Sequence, residues 1–342
     1  MIIRDVKAED NEKLLDIEKK SAQEGKIWFT SHRADFFEKS RFFREGFFLV
    51  AEDEKTGDLI GCAGAGYAYY SLKGERVKGV YLYGLRTNPK YRMKVARWLK
   101  ALIEKMTETL RSSDGVFAYG SVKKDNDRSA KISQHIGLFP ERVFNIYAVP
   151  VIHKPRVKGT IIDYAPNIKE VDSIYQQAAE GGDLVPLDLA ETFLPTVLEQ
   201  GRIRIMRYGS ARALVWDTSG QTDFSIARLN GGLKWLQILF KGISASIPVI
   251  KVPSIGHPIK SWQVMELSYK TRKDGLKLVR AVHNAAWREK IHLLMFGEDS
   301  EDNLVRAILG TLAFSLPFQI VTIDRDNTPL NLNRIPLWPP TM

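Results

Sequence analysis

The chain has 342 residues, 44% of them hydrophobic and 26% charged, an ordinary balance for a globular protein that buries a core. The single cysteine, Cys62, excludes a disulfide framework and any thiolate metal cluster, and no histidine pair shows ligand spacing, so no metal is expected. The net charge of +10 leaves nucleic acid, an acidic surface or a polyphosphate ligand as partner classes.

In chain order, residues 2–6 read as a strand and 8–20 as a helix with Leu14, Leu15 and Ile17 on one side. Residues 47–51 and 59–68 read as strands joined by a hairpin turn at 55–58. The second of these is rich in Gly and Ala, which suits close packing or a bulge. Residues 77–87 form a third strand stopped by Asn88-Pro89. Val95, Trp98, Leu99, Leu102, Ile103 and Met106 then recur at helical steps, marking one buried stripe. A strand at 115–122, a helix at 125–135 closed by Gly137, and a strand at 143–152 follow. Residues 153–163 read as a basic linker. Beyond it a similar order begins again: a helix at 168–180, strands at 202–207, 211–217, 222–229 and 261–269, a helix through Leu276, Val279, Val282 and Ala286, a strand at 291–296, a helix at 302–314 and a strand at 319–323. The expected class is α/β (α+β), with two mixed-sheet domains at 1–152 and 164–342, the second a diverged copy of the first. The long segments 22–46 and 181–201 are expected to shape access to a site without contributing a diagnostic residue.

Between residues 86 and 100 lie six basic residues, Arg86, Lys90, Arg92, Lys94, Arg97 and Lys100, and no acidic one. A strand ends there, a tight basic turn follows and a helix begins. Exposed N–H groups at a helix N-terminus together with cationic side chains suit a pyrophosphate. A solvated helix face would show the same charges.

Two stretches resemble the GCN5-related N-acetyltransferase family. The first is Leu85-x-Thr87-x-Pro89-x-Tyr91-Arg92 leading into the helix from Val95, similar to the family's central motif. The second contains Asn126, Ser129, Ile132, Gly137 and Leu138, in step with a later family motif. The resemblance covers residues 2–150 and implies acetyl-coenzyme A as acyl donor and an amine, on a small molecule or a peptide, as acceptor. It implies that Leu85, Arg86, Thr87, Arg92, Met93, Lys94, Val95, Ala96, Arg97 and Asn126 bind the coenzyme. The chain departs from the family at three places. Either Val95 replaces the first turn glycine, or one residue is deleted before it and Ala96 takes the second small position; the deletion keeps Val95, Trp98 and Leu99 on the buried stripe. Ser133 stands where the family's tyrosine acid is expected, with Tyr119 and His135 as substitutes. Tyr81 and Tyr83 stand on the strand face where the family's glutamate base is expected, and read more readily as packing or substrate shape than as proton carriers. With Tyr83, Tyr81 and Ser133 as the catalytic candidates, the function read from the sequence is acetyl transfer to an amine. The alternatives are a degenerate fold that binds coenzyme without turnover and a basic nucleic-acid module, the last disfavoured because no stretch interleaves basic and aromatic residues. In the second half Glu266 is a candidate carboxylate and Arg272-x-x-Gly275 echoes the turn. No apolar run is long enough to span a bilayer, so no membrane partner is expected. A cytoplasmic setting and a homodimer are both compatible with the sequence.

Overall fold

The computed structural model describes residues 1–21, 27–112, 115–221, 223–229, 256–302, 304–309 and 313–335, and among these the side chains of 27–29, 92–97, 107, 109–112, 128 and 229 are outside the description. Its strands are β1 Ile2–Asp5, β2 Ile27–His32, β3 Glu45–Glu52, β4 Leu59–Leu72, β5 Glu75–Thr87, β6 Phe117–Lys123, β7 Phe139–Pro150, β8 Ile162–Tyr164, β9 Leu184–Pro186, β10 Ile203–Tyr208, β11 Ala211–Asp217, β12 Asp223–Leu229, β13 Ser261–Ser268, β14 Leu293–Asp299 and β15 Phe314–Asp324. The helices are α1 Asn11–Lys20, α2 Val95–Ser112, α3 Asp127–His135, α4 Ile168–Ala179, α5 Phe193–Glu199, α6 Arg272–Arg288 and α7 Arg306–Leu309.

Thirteen strands form one sheet. Twelve run in the order β1-β3-β4-β5-β6-β15-β7-β14-β13-β11-β10-β8, and β9 pairs separately with β4. The order has an internal symmetry about the β15/β7 pair. On each side of it an antiparallel ladder ends in one parallel pair, β5 with β6 and β13 with β14. The last strand of each half lies in the sheet of the other: β15 pairs with β6, and β7 pairs with β14. The two halves are therefore strand-exchanged, and the largest apolar cluster draws on both, from Phe42, Tyr81 and Phe144 to Val171, Phe193 and Ile335.

The helical stripe on α2 is realised, with Trp98 and Leu102 fully buried and Leu99 and Met106 nearly so. They pack on Leu49, Ile60, Ala63, Val80, Leu82 and Leu85. The glycines of β4 permit this packing: a Cβ on Gly61 would stand 2.4 Å from the Trp98 ring, one on Gly64 2.3 Å from Phe48, and one on Gly66 2.2 Å from Phe43.

Three expectations for the second half need correction. The strand expected at 222–229 lies outside the sheet of the second half: β12 pairs with β2 of the first half in a separate two-stranded sheet, bonded through Thr30 and Ser225 hydroxyls at 2.6 Å. The helix expected over 302–314 is limited, among the described residues, to Arg306–Leu309, and Phe314 already belongs to β15. The end of the linker, Ile162–Tyr164, is an edge strand paired with β10, because Tyr164 gains a Glu170 hydrogen bond on α4 there.

Candidate active-site cleft

The cleft begins where β5 and β6 part. They are paired in parallel only from Gly79–Leu82 against Phe117–Gly120. Beyond that point β5 keeps β4 on one flank up to Thr87, while β6 keeps β15 on its far flank up to Lys123. Backbone N–H and C=O groups on the facing edges are thereby freed from the ladder and available to a ligand.

A β-bulge shapes β5 at this point. Cys62 faces Arg86 and Gly64 faces Tyr83, so Gly84 and Leu85 share the single partner Ala63. Gly84 adopts φ +69°, which a glycine supplies at least cost. The extra residue breaks strict alternation. Leu85 lands on the α2 face with Leu82, and Arg86 lands with Tyr81 and Tyr83 on the α1 face. There its guanidinium meets Glu18 at 3.3 Å, and Arg33 meets the same carboxylate at 3.1 Å. Glu18 is buried, and the Nε groups of both arginines lack a hydrogen-bond partner.

The basic cluster is thus partly spent on internal pairs. Arg86 holds Glu18, Lys90 holds Asp58 at 2.6 Å and Lys100 lies 3.8 Å from Glu104. Asp58, on the β3–β4 hairpin, also accepts from the Tyr91 hydroxyl at 2.7 Å, and both bonds hold its carboxyl below the usual range. Tyr91 is buried and ties the turn to that hairpin. The backbone of residues Pro89–Lys94 makes 3-10 turns with a kink at Tyr91, and α2 starts at Val95. The side chains of Arg92, Met93, Lys94, Val95, Ala96 and Arg97 lie outside the described residues. The first turn of α2 carries no acidic residue.

The other sequence candidates fall as follows. The Thr87 carbonyl accepts from the Ser21 hydroxyl at 2.8 Å. Asn126 caps α3, its side-chain oxygen accepting from the Ser129 amide at 3.1 Å. Ser133 is buried on α3, and its carbonyl closes the helix by accepting from Leu138. Tyr119 is removed from consideration as an acid. It is buried, bonded to the Tyr70 hydroxyl at 3.0 Å, and burial drives its ionisation far upward. His135 is exposed at the last turn of α3, as a capping histidine would be.

Tyr81 and Tyr83 are brought together. Their rings stack with centroids 6.0 Å apart, and Phe43 stacks against both at 5.8 and 5.4 Å. Tyr81 reaches across the parting strands to the Ser121 hydroxyl at 3.2 Å and closes the inner end of the cleft. Burial pushes its phenol up to about 12 and raises that of Tyr83 as well.

Sequence reasoning missed one residue. Lys39 lies in the segment 22–46, on a 3-10 turn Glu38–Phe42. Phe36, Phe42 and Phe43 are buried on either side and pin this turn to the sheet. The Lys39 amine stands 3.4 Å from the Tyr81 hydroxyl, 4.8 Å from the Tyr81 ring centre and 5.8 Å from that of Tyr83. Burial first, then the charges of Arg33 and Arg86, lower its pKa from 10.5 to about 7, against a smaller raising effect from Glu18. An isolated lysine in a loop gives no periodic or motif signal, so only the tertiary contacts reveal it.

The second half repeats the geometry with different chemistry. Paired Ser261–Val264 and Leu293–Phe296 separate after Val264, and a bulge in β13 adds Met265 between Val264 and Glu266. Glu266 pairs with Arg212 on the neighbouring strand at 3.2 Å. The N-terminus of α6 is already filled. Thr271 caps it by accepting from the Asp274 amide at 3.2 Å, and the Asp274 carboxylate accepts from the Ser210 amide and hydroxyl. Gly275 fits under Tyr269, where a Cβ would come within 2.9 Å of the ring.

This architecture has counterparts among solved structures. The chain superposes on Saccharomyces cerevisiae N-myristoyltransferase with bound myristoyl-CoA with a TM-score of 0.63 and 11% identity, over 98% of this chain and 80% of that one. The chain shares with that structure the tandem GCN5-related N-acetyltransferase fold, a large mixed sheet with flanking helices. A second N-myristoyltransferase structure, with myristoyl-CoA and inhibitors, gives a TM-score of 0.61 at 10% identity, over 100% and 83% of the two chains. Eis1 from Mycobacterium abscessus matches less closely, with a TM-score of 0.47, 12% identity and coverages of 94% and 73%. No family model and no curated protein matches the chain by sequence. Among the described residues no helix is long and apolar enough to cross a membrane, and no group of three or more metal-ligating side chains occurs.

Proposed function

We propose that the chain is an acyl-CoA-dependent N-acyltransferase whose first half seats the donor along the parted edge of β5 and the β5–α2 turn, with an acetyl group passing to an amine. The observation that carries this reading is the contrast between the two related clefts. In the first half the helix that follows the cleft begins without an acidic side chain, so its N-terminus can receive phosphate. In the second half the corresponding helix start is occupied by Asp274. Of the two helix starts that follow the clefts, one is therefore free of an acidic side chain for a pyrophosphate. The bound myristoyl-CoA of the yeast enzymes supports an acyl-coenzyme A donor for this fold. A short acyl group suits the inner end of the cleft, where Tyr81, Tyr119 and Phe117 are each no more than 3% exposed and leave little room between the strands.

Coenzyme binding without turnover is a second reading, favoured by tyrosines standing where a carboxylate base is expected. Calorimetric titration of the full chain with acetyl-CoA, myristoyl-CoA and free coenzyme A, followed by thiol release across a panel of primary amines, separates the readings. Acetyl-CoA binding with amine-dependent thiol release is expected. Binding without release across the panel selects the second reading. Preference for myristoyl-CoA overturns the short-acyl assignment, and no binding of any of the three at near-millimolar concentration overturns the donor.

A further inference from the structure

An acylated amine must first lose a proton, because at neutral pH it arrives as an ammonium ion without a lone pair. Acidic side chains are absent from the cleft face of β5, which carries Tyr81, Tyr83 and Arg86. Tyrosine phenols shifted upward by burial are too weakly acidic to be anionic near pH 7. The buried carboxylate beside Arg86, Glu18, is held by two arginines.

We propose that the Lys39 amine is the proton acceptor for the incoming amine. The geometry is the ground for this. Lys39 lies over the stacked faces of Tyr81 and Tyr83, and the Tyr81 hydroxyl bridges it to Ser121 on the opposite strand. The amine therefore stands at the inner end of the cleft, beside the point where β5 and β6 part. Tyr81 and Tyr83 from β5 face it, and the charges of Arg33, Arg86 and Glu18 act on it. The charges of Arg33 and Arg86 favour the uncharged amine, against the smaller opposite effect of Glu18. Lys39 with its near-neutral pKa is then largely unprotonated at pH 8.

In the reaction, the lone pair of Lys39 Nζ takes one proton from the ammonium ion. The freed amine attacks the thioester carbonyl carbon, the C–N bond forms and the C–S bond breaks. The second proton on nitrogen goes to the departing thiolate through solvent, and Lys39 returns its proton to water. The balance is one ammonium ion and one acyl-CoA giving one amide, one coenzyme A thiol and one proton. The role of Lys39 rests on the acyl-CoA reading above.

The test uses the full chain, acetyl-CoA as donor and a primary-amine panel of spermidine, lysine methyl ester and a hexapeptide with a free N-terminus. In the wild-type protein kcat/KM is expected to rise about tenfold per pH unit below about 7, as Lys39 loses its proton, and then to level. Lys39→Met and Lys39→Arg are expected to lower kcat at pH 8 by roughly 10²-fold while leaving the acetyl-CoA Kd unchanged. Arginine keeps the charge and the contact with the tyrosines but cannot give up its proton. Added methylamine is expected to restore part of the rate to Lys39→Ala in proportion to its free-base concentration. Transfer that survives in Lys39→Met with the same pH limb overturns the inference and leaves the acyltransferase reading standing. A stable acetyl group on Lys39, formed as fast as product, overturns it in favour of a nucleophile. Failure of acetyl-CoA to bind, or binding without transfer to any of the three amines, overturns the acyltransferase reading and the role of Lys39 with it.

Discussion

Glu18 is the residue on which the α1 side of the cleft depends. It is 2% exposed and is contacted by Arg33 and Arg86, whose own side chains are 14% and 16% exposed. Removing a buried partner leaves charges unpaired in a region of low dielectric, a loss of about 3–5 kcal/mol. Glu18→Ala is therefore expected to lower the urea midpoint strongly and to free Arg86 toward the cleft, and an unchanged midpoint would contradict this pairing. Cys62, by contrast, packs beneath the bulge with its thiol pushed up to about 12, so it is expected to resist alkylation in the folded protein. His283 in α6 is 4% exposed, its Nδ1 lacks a partner, and burial first and the Lys154 charge second lower its pKa from 6.5 to about 4. The unfolded chain then binds a proton that the folded chain does not between these values. Its contribution to stability is thus present above pH 6.5 and lost as pH falls toward 4, by up to about 3 kcal/mol. His283→Leu is expected to flatten that part of the pH–stability curve, as read by denaturant titration at a series of pH values.

At the scale of elements, the pairing of β4 with α2 governs the position of the donor turn. A methyl group on Gly61 would stand 2.4 Å from Trp98 and 2.8 Å from the Arg86 carbonyl. Such overpacking costs typically 1–3 kcal/mol. Gly61→Ala is expected to lower the thermal midpoint and to weaken acetyl-CoA binding, since it pushes α2 away from the end of β5; binding at full affinity would separate the packing from the seat. The bulge at Gly84 and Leu85 is the second device. Gly84→Ala places a side chain at φ +69° and 3.0 Å from Phe48, at a cost of about 1–2 kcal/mol. Most elements on either side of it were legible in the sequence, because strand alternation and helical stripes are local signals. The α2 stripe through Trp98, Leu99 and Leu102 follows its expected period. The bulge was not legible. Simple alternation assigns Arg86 to the face opposite Tyr83, and one extra residue reverses that assignment.

For the whole molecule, strand exchange makes the halves interdependent. Without β15 the β6 edge is left open, and without β7 the β14 edge is left open. Unpaired edges invite aggregation, and the shared core loses contacts from both sides. Residues 1–152 and 153–342 expressed separately are expected to aggregate or remain unfolded. Co-expressed, they should recover a one-to-one complex on size exclusion. A soluble, cooperatively folded fragment 1–152 would contradict this dependence. The full chain is expected to melt in one transition.

By itself the sequence determined the class of fold, the repeated order of elements, the buried stripe of α2 and the location of the basic turn. These follow from periodicities and turn residues only a few positions apart. It also placed Tyr81 and Tyr83 on one face, which the structure bears out by their stacking. Tertiary structure alone decided which strands meet across the two halves, which face Arg86 takes, that Asp274 fills the second helix start, and that Lys39 stands over the tyrosines. Each of these depends on residues far apart in the chain, or on a single inserted residue in a ladder. No local pattern records such contacts, because it is the burial of shared apolar surface that selects them.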